Sequence, residues 1–493
     1  MPSVAPSLPP AVSPSGPARR VAVIGGGISG LAAAHRLTEL QPQTQVTLFE
    51  AGSRLGGALQ TIQQGGWLIE RSADMFITRE PEAADLCRRI GLADELIGTN
   101  TQHRRSWVVR RGKLVPIPEG FTLMSPAKVW PILTTPLLSP LGKARLAWEY
   151  FTPRSSSNGD ESLESFVVRR FGREAFDRLI QPLIGGIYTA DPAKLSMAAT
   201  LPQFVALERK YGSLIRGMRA GARSQESGVR GQEGASGARY GLFVAPRLGM
   251  QQMVDALAAR LPAGCVRMNS SIERIERSAG WRVFVKDDEA PVLFDDVILA
   301  APGAVSSRLL AGVDDKLAAL VGQIPHAGCS VAVLGIRREQ AAHPLDGFGF
   351  VVPAIENRQI IAGSLASVKF PGRAPEGKVL LRVFVGGALQ PHLAELPDEE
   401  IRRIVLLELS ELIGLRGEPE FFDVIRWLGM MPQYHVGHLD LVAQIEERAA
   451  AIPGFALAGN AYRGVGIPQC VRSGEAAAAR IAANAECGVR NAE

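Results

Sequence analysis

The stretch RVAVIGGGISGLAAAHRL, residues 20–37, restricts the fold more than anything else in this chain. Val21, Val23 and Ile24 make a short β-branched run of the kind buried inside a parallel sheet. Gly25, Gly27 and Gly30 follow at G-x-G-x-x-G spacing, and Leu31 to Leu37 continues as an alanine-rich helix. In such a strand–turn–helix the first glycine permits the tight turn and the second lets backbone approach a pyrophosphate. The third lets the helix pack close on the strand. The helix start adds unpaired N–H groups and a partial positive charge. A second strand, QVTLFE at 45–50, ends in Glu50, about twenty residues beyond the last glycine, where a carboxylate accepts from ribose hydroxyls.

The next residues choose between dinucleotides. AGSRLGGALQT, residues 51–61, sets Arg54, Gly56 and Gly57 directly after the acid. A nicotinamide enzyme has no use for a second glycine pair there. FAD continues past the ribose and requires backbone close to its pyrophosphate from a second side. Near the other end, IPGFALAGNAYRGVGIPQCVRSGEAAAARIA, residues 452–482, reads as strand, loop and alanine-rich helix. Gly459 lets backbone approach a ribityl chain, and Gly464 and Gly466 keep the loop low. A helix beginning near Pro468 then aims its N–H groups at the flavin edge that becomes negative on reduction.

Glycine loop, acid and R-x-G-G in this order resemble the two-part FAD signature of the amine oxidase, phytoene desaturase and protoporphyrinogen oxidase superfamily. GNAYRGVGIP-x-C, with GFGFVVP at 347–353 and LIQPLIGGIYTADPAKLSMAATLP at 179–202, is most similar to the protoporphyrinogen and coproporphyrinogen oxidase branch. The resemblance covers nearly the whole chain outside the N-terminal tail and residues 220–240. Two departures stand out: Ala58 where many members have Arg, and Gln469 where Asp is usual. By resemblance, Gly26, Ile28, Ser29, Ala58, Ser72, Ala73, Asp74, Met75, Asn460, Val465 and Ile467 join the cofactor site, and Val266 contacts the adenine through its backbone. It further implies that Phe348, Val351 and Phe384 wall the macrocycle; Arg79 and Arg105, by their charge, are candidate partners for its propionates.

What the resemblance implies is oxygen-dependent, six-electron oxidation of a porphyrinogen in heme biosynthesis, by hydride transfer to FAD with hydrogen peroxide released. No general base is required, so no catalytic side chain is assigned; the seven histidines form no patterned cluster. In ERSADMFITR, residues 70–79, Asp74 leans toward the branch acting on coproporphyrinogen III, whose members read G-P-D there; the Gly-Pro itself is lost. Protoporphyrinogen IX oxidation and FAD-dependent amine oxidation are the alternatives. A non-enzymatic alternative is a flavin-binding scaffold presenting a ferrochelatase-like partner.

Bulk properties are compatible. The chain has 493 residues, 46% of them apolar and 21% charged, enough for two or three domains with sizeable cores. A net charge of +5, with no basic stripe, argues against nucleic acid. Cys87, Cys265, Cys329, Cys470 and Cys487 lie far apart, with no metal-ligand spacing and no disulfide framework, as in a reducing compartment. No run reaches the roughly eighteen apolar residues of a membrane span, and the Pro/Ser-rich start lacks an apolar signal core. A cytoplasmic enzyme is expected, and the resemblance implies that the proline-broken apolar segment 119–151 is where it touches membrane peripherally; oligomeric state is left open.

The expected architecture is α/β (α+β): a Rossmann-type FAD-binding domain, a mixed-sheet substrate domain and a helical subdomain. Residues 1–19 are expected as a disordered tail, and 20–98, 245–312 and 440–485 as a discontinuous FAD-binding domain. Residues 99–219 are expected as the helical, membrane-facing subdomain, 220–241 as a flexible loop and 313–439 as the substrate-binding domain.

Overall fold

A computed structural model describes residues 18–122, 124–126, 130–155, 159–226 and 242–490. Its first sheet is parallel and five-stranded, in the order Val266–Arg267, Gln45–Phe49, Arg20–Ile24, Asp296–Leu299 and Phe455–Leu457. Three distant stretches of chain therefore meet in one sheet. Both faces are covered, so the strands carry apolar side chains in both directions. Val21 and Val23 enter the core under the helices Ile28–Leu40 and Ile467–Arg490. Ala22 and Ile24 enter the opposite core, with the antiparallel meander 272–294 and the helices Gly303–Leu310, Asp315–Gly322 and His438–Ala450.

The two helices of the first face cross at very short range. Ala32, Ala33, Ala34, Ala477 and Ala478 are all buried there. A Cβ on Gly474 would stand 2.1 Å from the Ser29 carbonyl oxygen, which only glycine allows.

The second sheet has seven strands: Phe421–Pro432, His326–Arg337, Lys378–Gly386, Ile360–Leu365, Gly349–Val351, Trp107–Arg110 and Lys113–Pro116. All neighbours pair antiparallel except Gly349–Val351 with Trp107–Arg110. Helix Asp398–Ile413 covers one face. The other face packs partly on Trp67 and Ile69 of the hairpin Thr61–Gln64 and Trp67–Glu70, and partly, through Val108 and Val351, on a helical core holding Phe166, Phe171, Phe176 and Ile184. The hairpin at 107–116, expected inside the helical subdomain, thus completes the second sheet, because its Val/Trp alternation can be buried on both sides there.

Other boundaries also differ from the sequence reading. Arg19, expected in the disordered tail, pairs both ends of its guanidinium with buried Asp296, at 2.6 Å for one of them, while residues 1–17 lie outside the described set. Residues 220–226, expected as loop, continue the helix Leu214–Glu226; 227–241 lie outside the described residues. Helix Asp315–Gly322 packs with the first sheet rather than the second, since Leu317, Leu320 and Val321 share the core of Ile24 and Leu299. Ser162 caps helix Leu163–Phe171 by accepting from the Ser165 amide.

Candidate active site

The two N-terminal glycine loops close against each other. Gly25 has φ of +113°, and a Cβ there would strike the Ala300 carbonyl oxygen at 2.6 Å. At Gly30 the added atom would meet the Gly25 carbonyl oxygen at 1.8 Å, so this glycine sets the helix against the strand. Gly27 is different: beyond its own neighbours, a Cβ there would meet nothing nearer than 3.9 Å. Gly27 is also the N-cap of helix Ile28–Leu40 and provides no side-chain cap, so the first-turn amides of Ile28, Ser29 and Gly30 face an open cradle. Room and uncommitted donors at one point suit a dinucleotide pyrophosphate.

Glu50 braces the cradle by accepting from the Gly26 amide at 2.9 Å and the Gly52 amide at 2.7 Å. The second loop is bound to the first by Gly56 N–H donating to Gly26 O at 2.8 Å. Arg54, expected at the cofactor, donates to the carbonyls of Leu55, Gly57 and Leu59. Its guanidinium therefore shapes the Gly56–Gly57–Ala58 turn. Val266 lies on the edge strand. Cys265 and Arg267 give their carbonyls to the Leu48 and Glu50 amides, which turns the Val266 peptide to the open edge.

Residues 71–74 connect the two halves. Trp427 Nε1 donates to Arg71 O at 2.7 Å, and Arg382 donates to Ser72 O. Asp74 is buried, with its Oδ2 2.7 Å from Lys369 Nζ and 3.3 Å from Arg382. Burial alone would raise this carboxyl, but Lys369 and Arg382 prevail and hold it at about 2. Glu70 nearby goes the other way. Burial pushes it up to about 7, against Arg373, the Met250 amide and the Thr61 hydroxyl. Ala73 and Met75 are half-buried beside them.

The C-terminal loop is held from behind. Gly459 has φ of +133° and donates to Ser473 Oγ at 3.0 Å; a Cβ on it would meet nothing nearer than 4.0 Å, so this turn too is open toward the cradle. Tyr434 is buried and stacks on His438, ring centroids 4.0 Å apart. Its hydroxyl donates to Asn460 O and accepts from Gly464 N–H at 2.8 Å. His438 Nε2 lies 2.8 Å from Tyr462 O. Gly464 and Gly466 lie against the Gln469 side chain, whose amide reaches Glu80. The helix starts at Ile467, one residue ahead of the expected Pro468, with Val465 and Gly466 leading into it.

On the second sheet, Val351, Ala362 and Phe384 occupy one cross-strand row, and so share the face that looks toward residues 71–74. Phe348 is not in that row. It lies just outside the strand, with its carbonyl bonded to Leu365 N–H, and Leu365 belongs to the core under helix Asp398–Ile413. Arg105 pairs with Asp346 at 3.1 Å with about half of its side chain exposed, and Arg79 is exposed. Neither guanidinium joins the Val351–Phe384 row, because both sit on solvated loops. Sequence reasoning missed Lys369, Arg373 and Arg382, and also Tyr434 and His438. A lone arginine inside the apolar run KVLLRVFVGG was the one available signal for Arg382.

Residues 28–482 match the model of the family described as flavin containing amine oxidoreductase. The coproporphyrinogen III oxidase of Bacillus subtilis is 36% identical over 466 residues, covering 93% of this chain and 97% of the relative. Protoporphyrinogen oxidase 2 of Arabidopsis thaliana is 28% identical over 482 residues, covering 92% of each. A solved structure from Exiguobacterium sp. 255-15 superposes with a TM-score of 0.83 at 32% identity, covering 94% of this chain and 99% of that one.

Proposed function

The chain belongs to the flavin-containing amine oxidoreductase family, and from that premise we propose that it oxidises a porphyrinogen to the porphyrin, with coproporphyrinogen III preferred over protoporphyrinogen IX. The observation that carries the reading is the apolar row Val351–Ala362–Phe384 facing a flavin-side loop backed by buried Lys369 and Arg382. Such a wall suits a large, flat, anionic macrocycle. Greater identity to a coproporphyrinogen oxidase than to a plant protoporphyrinogen oxidase supports the preference.

FAD is the cofactor, and when bound it would supply the two-electron acceptor for each of three hydride removals, with three molecules of oxygen taking up the electrons as hydrogen peroxide. The substrate loses six electrons and six protons in total. The cradle of Gly25 to Gly30 with Gly56 and Gly57 would hold the pyrophosphate and Glu50 a ribose, while Gly459 to Gly466 would lie along the ribityl and ring. Tyr434 and His438 keep that last loop in one conformation. The row Val351–Phe384 orients the macrocycle and excludes water. No side-chain base is assigned: three of the four meso hydrogens lost would leave as hydride, two protons leave from pyrrole N–H groups, and the fourth meso hydrogen leaves as a proton through tautomerisation to a pyrrole nitrogen.

An amine oxidase is the weaker reading. Tyr462, the one aromatic in the C-terminal loop, is buried in the core behind it, and Lys369 is tied to Asp74. Among the described residues no helix is long and apolar enough to cross a membrane. Peripheral contact is supported by exposed Trp130, Leu133, Leu141, Trp148 and Phe151, flanked by exposed Arg216 and Arg219 over Tyr150.

The test is porphyrin fluorescence under air with purified holoenzyme given coproporphyrinogen III or protoporphyrinogen IX. Faster turnover of the first is expected. Faster turnover of the second would reverse the preference, and yellow protein inert to both would remove the porphyrinogen reading.

A further inference from the structure

Among the described residues, two buried donors on the second sheet have no partner. Arg382 Nε and Ser364 Oγ are both enclosed and both unbonded. They belong to directly paired residues on neighbouring strands, so they share one face about 5 Å apart at Cβ. That face is the one carrying Phe384 and Ala362, one row along. Native structures rarely leave such groups idle, and each one calls for an explanation.

The charge around them is also unbalanced. Lys369, Arg373 and Arg382 are 7%, 2% and 3% exposed. Facing them are Asp74, which pairs with two of the three, and Glu70, 3.6 Å from Arg373. Burial favours the neutral form of Glu70, which leaves a surplus of buried positive charge. A surplus of that kind is costly unless an anion completes it. Arg382 is at the same time rigid: Asp74 and Ser72 O fix its two terminal nitrogens and leave the Nε edge for a ligand.

We propose that Ser364 and Arg382 form a carboxylate subsite that seats one acidic arm of the substrate beside Phe384. The proposal rests on the porphyrinogen reading and deepens it. It gives the macrocycle an orientation, one arm anchored on Lys378–Gly386 and the ring against the Val351–Phe384 row. Asp74 acts here as a positioning residue, since it holds the guanidinium and does not itself meet the arm.

The experiment is equilibrium titration of FAD-loaded protein with coproporphyrin III and, in parallel, with its tetramethyl ester, followed by quenching of porphyrin fluorescence. The ester keeps the ring and removes every carboxylate. Charge-assisted hydrogen bonds of this type are worth about 10- to 100-fold in binding. R382M is expected to weaken coproporphyrin III by about that factor more than it weakens the ester, while R382K regains part of the difference. S364A is expected to weaken the acid alone by about fivefold. Equal weakening of acid and ester, or no change in either, would overturn the subsite while leaving the porphyrinogen reading intact. If R382M does not retain flavin, R382K and S364A decide the matter by the same acid-to-ester ratio. A wild type that binds neither compound would refute the porphyrinogen reading, and the subsite with it.

Discussion

Tyr434→Phe is the most informative single change at the cofactor. The ring stays, so the stack on His438 at 4.0 Å is preserved, and only the hydroxyl disappears. That hydroxyl bridges two points of one loop, donating to Asn460 O and accepting from Gly464 N–H at 2.8 Å. Each bond is worth about 0.5–1.5 kcal/mol net, so the loop conformation loses about 1–3 kcal/mol. Gly464, at φ of +131°, then keeps the packing of the Gln469 side chain but loses its hydrogen-bonded anchor. The loop lies along the proposed flavin site, so the loss is expected to be read in FAD binding. A tenfold change in affinity corresponds to about 1.4 kcal/mol, so FAD should bind about 5- to 100-fold more weakly. The assay is titration of deflavinated protein with FAD, read by flavin fluorescence, alongside the flavin absorbance envelope of the reconstituted enzyme. Unchanged affinity with an unchanged spectrum would refute the assignment of Tyr434 as the clamp. Loss of thermal stability with unchanged affinity would make it a core residue only.

Asp74→Asn should free Lys369 and Arg382 together, since both contact one carboxylate oxygen, and lower kcat/KM by at least tenfold with a smaller effect on FAD binding; steady-state kinetics on porphyrinogen check the split. Glu70 adds a pH dependence of known sign. Its folded value of about 7 lies above the ordinary 4.5, so its contribution is complete below pH 4.5 and is lost as pH rises through 7, by roughly 3 kcal/mol at most. Asp74 has the opposite sign, its contribution being lost as pH falls from 3.8 toward 2. Urea unfolding of wild type and E70Q from pH 4 to pH 8 should show the Glu70 step only in the former. Gly474→Val should disrupt the crossing of the two long helices, because even a Cβ comes within 2.1 Å of the Ser29 carbonyl; loss of soluble, flavin-loaded protein on expression is expected. Vesicles containing anionic phosphatidylglycerol should co-sediment the protein, and Trp148→Glu, at a position 63% exposed, should release it without altering turnover of dissolved substrate.

The cofactor half was readable because its constraints are local. Gly25, Gly30 and Gly56 are demanded by clashes within a few residues or with the adjoining strand, so the sequence records them side by side. Glu50 could be found for the same reason: strand geometry fixes its distance from the loop. The substrate half obeys longer rules. Asp74 meets Lys369 and Arg382 across 295 and 308 positions of chain, and no periodicity reports a pairing of that kind. Phe348 and Val351 were treated as one wall because both are apolar and close in sequence. The pairing register places Val351 opposite Ala362, whereas Phe348 lies outside the paired strand, its carbonyl accepting from the Leu365 amide. Arg79 and Arg105 were plausible partners for acids by charge alone, but an arginine on a solvated loop has water and Asp346 to satisfy it.

The contrast between those arginines and Arg382 bears on how such a site is built. A surface guanidinium is mobile and screened, and contributes little to orienting a ligand. Arg382 is enclosed in a strand, gripped by Asp74 and by a carbonyl of the flavin-side loop. The same contacts that fix it join the two halves of the protein: Arg71 and Ser72 are held through their carbonyls by Trp427 and Arg382 of the second sheet. The 71–74 loop and the Val351–Phe384 row are therefore set relative to each other by one small group of buried charges. A neutral residue at 382 would loosen both the loop and the arm, whereas a neutral residue at 364 would loosen the arm alone. Comparing S364A with D74N in the same titration separates the binding of the acidic arm from the alignment of the two halves. If the two variants showed one pattern of loss, the latch and the subsite would be a single structural element with no separate role for Ser364.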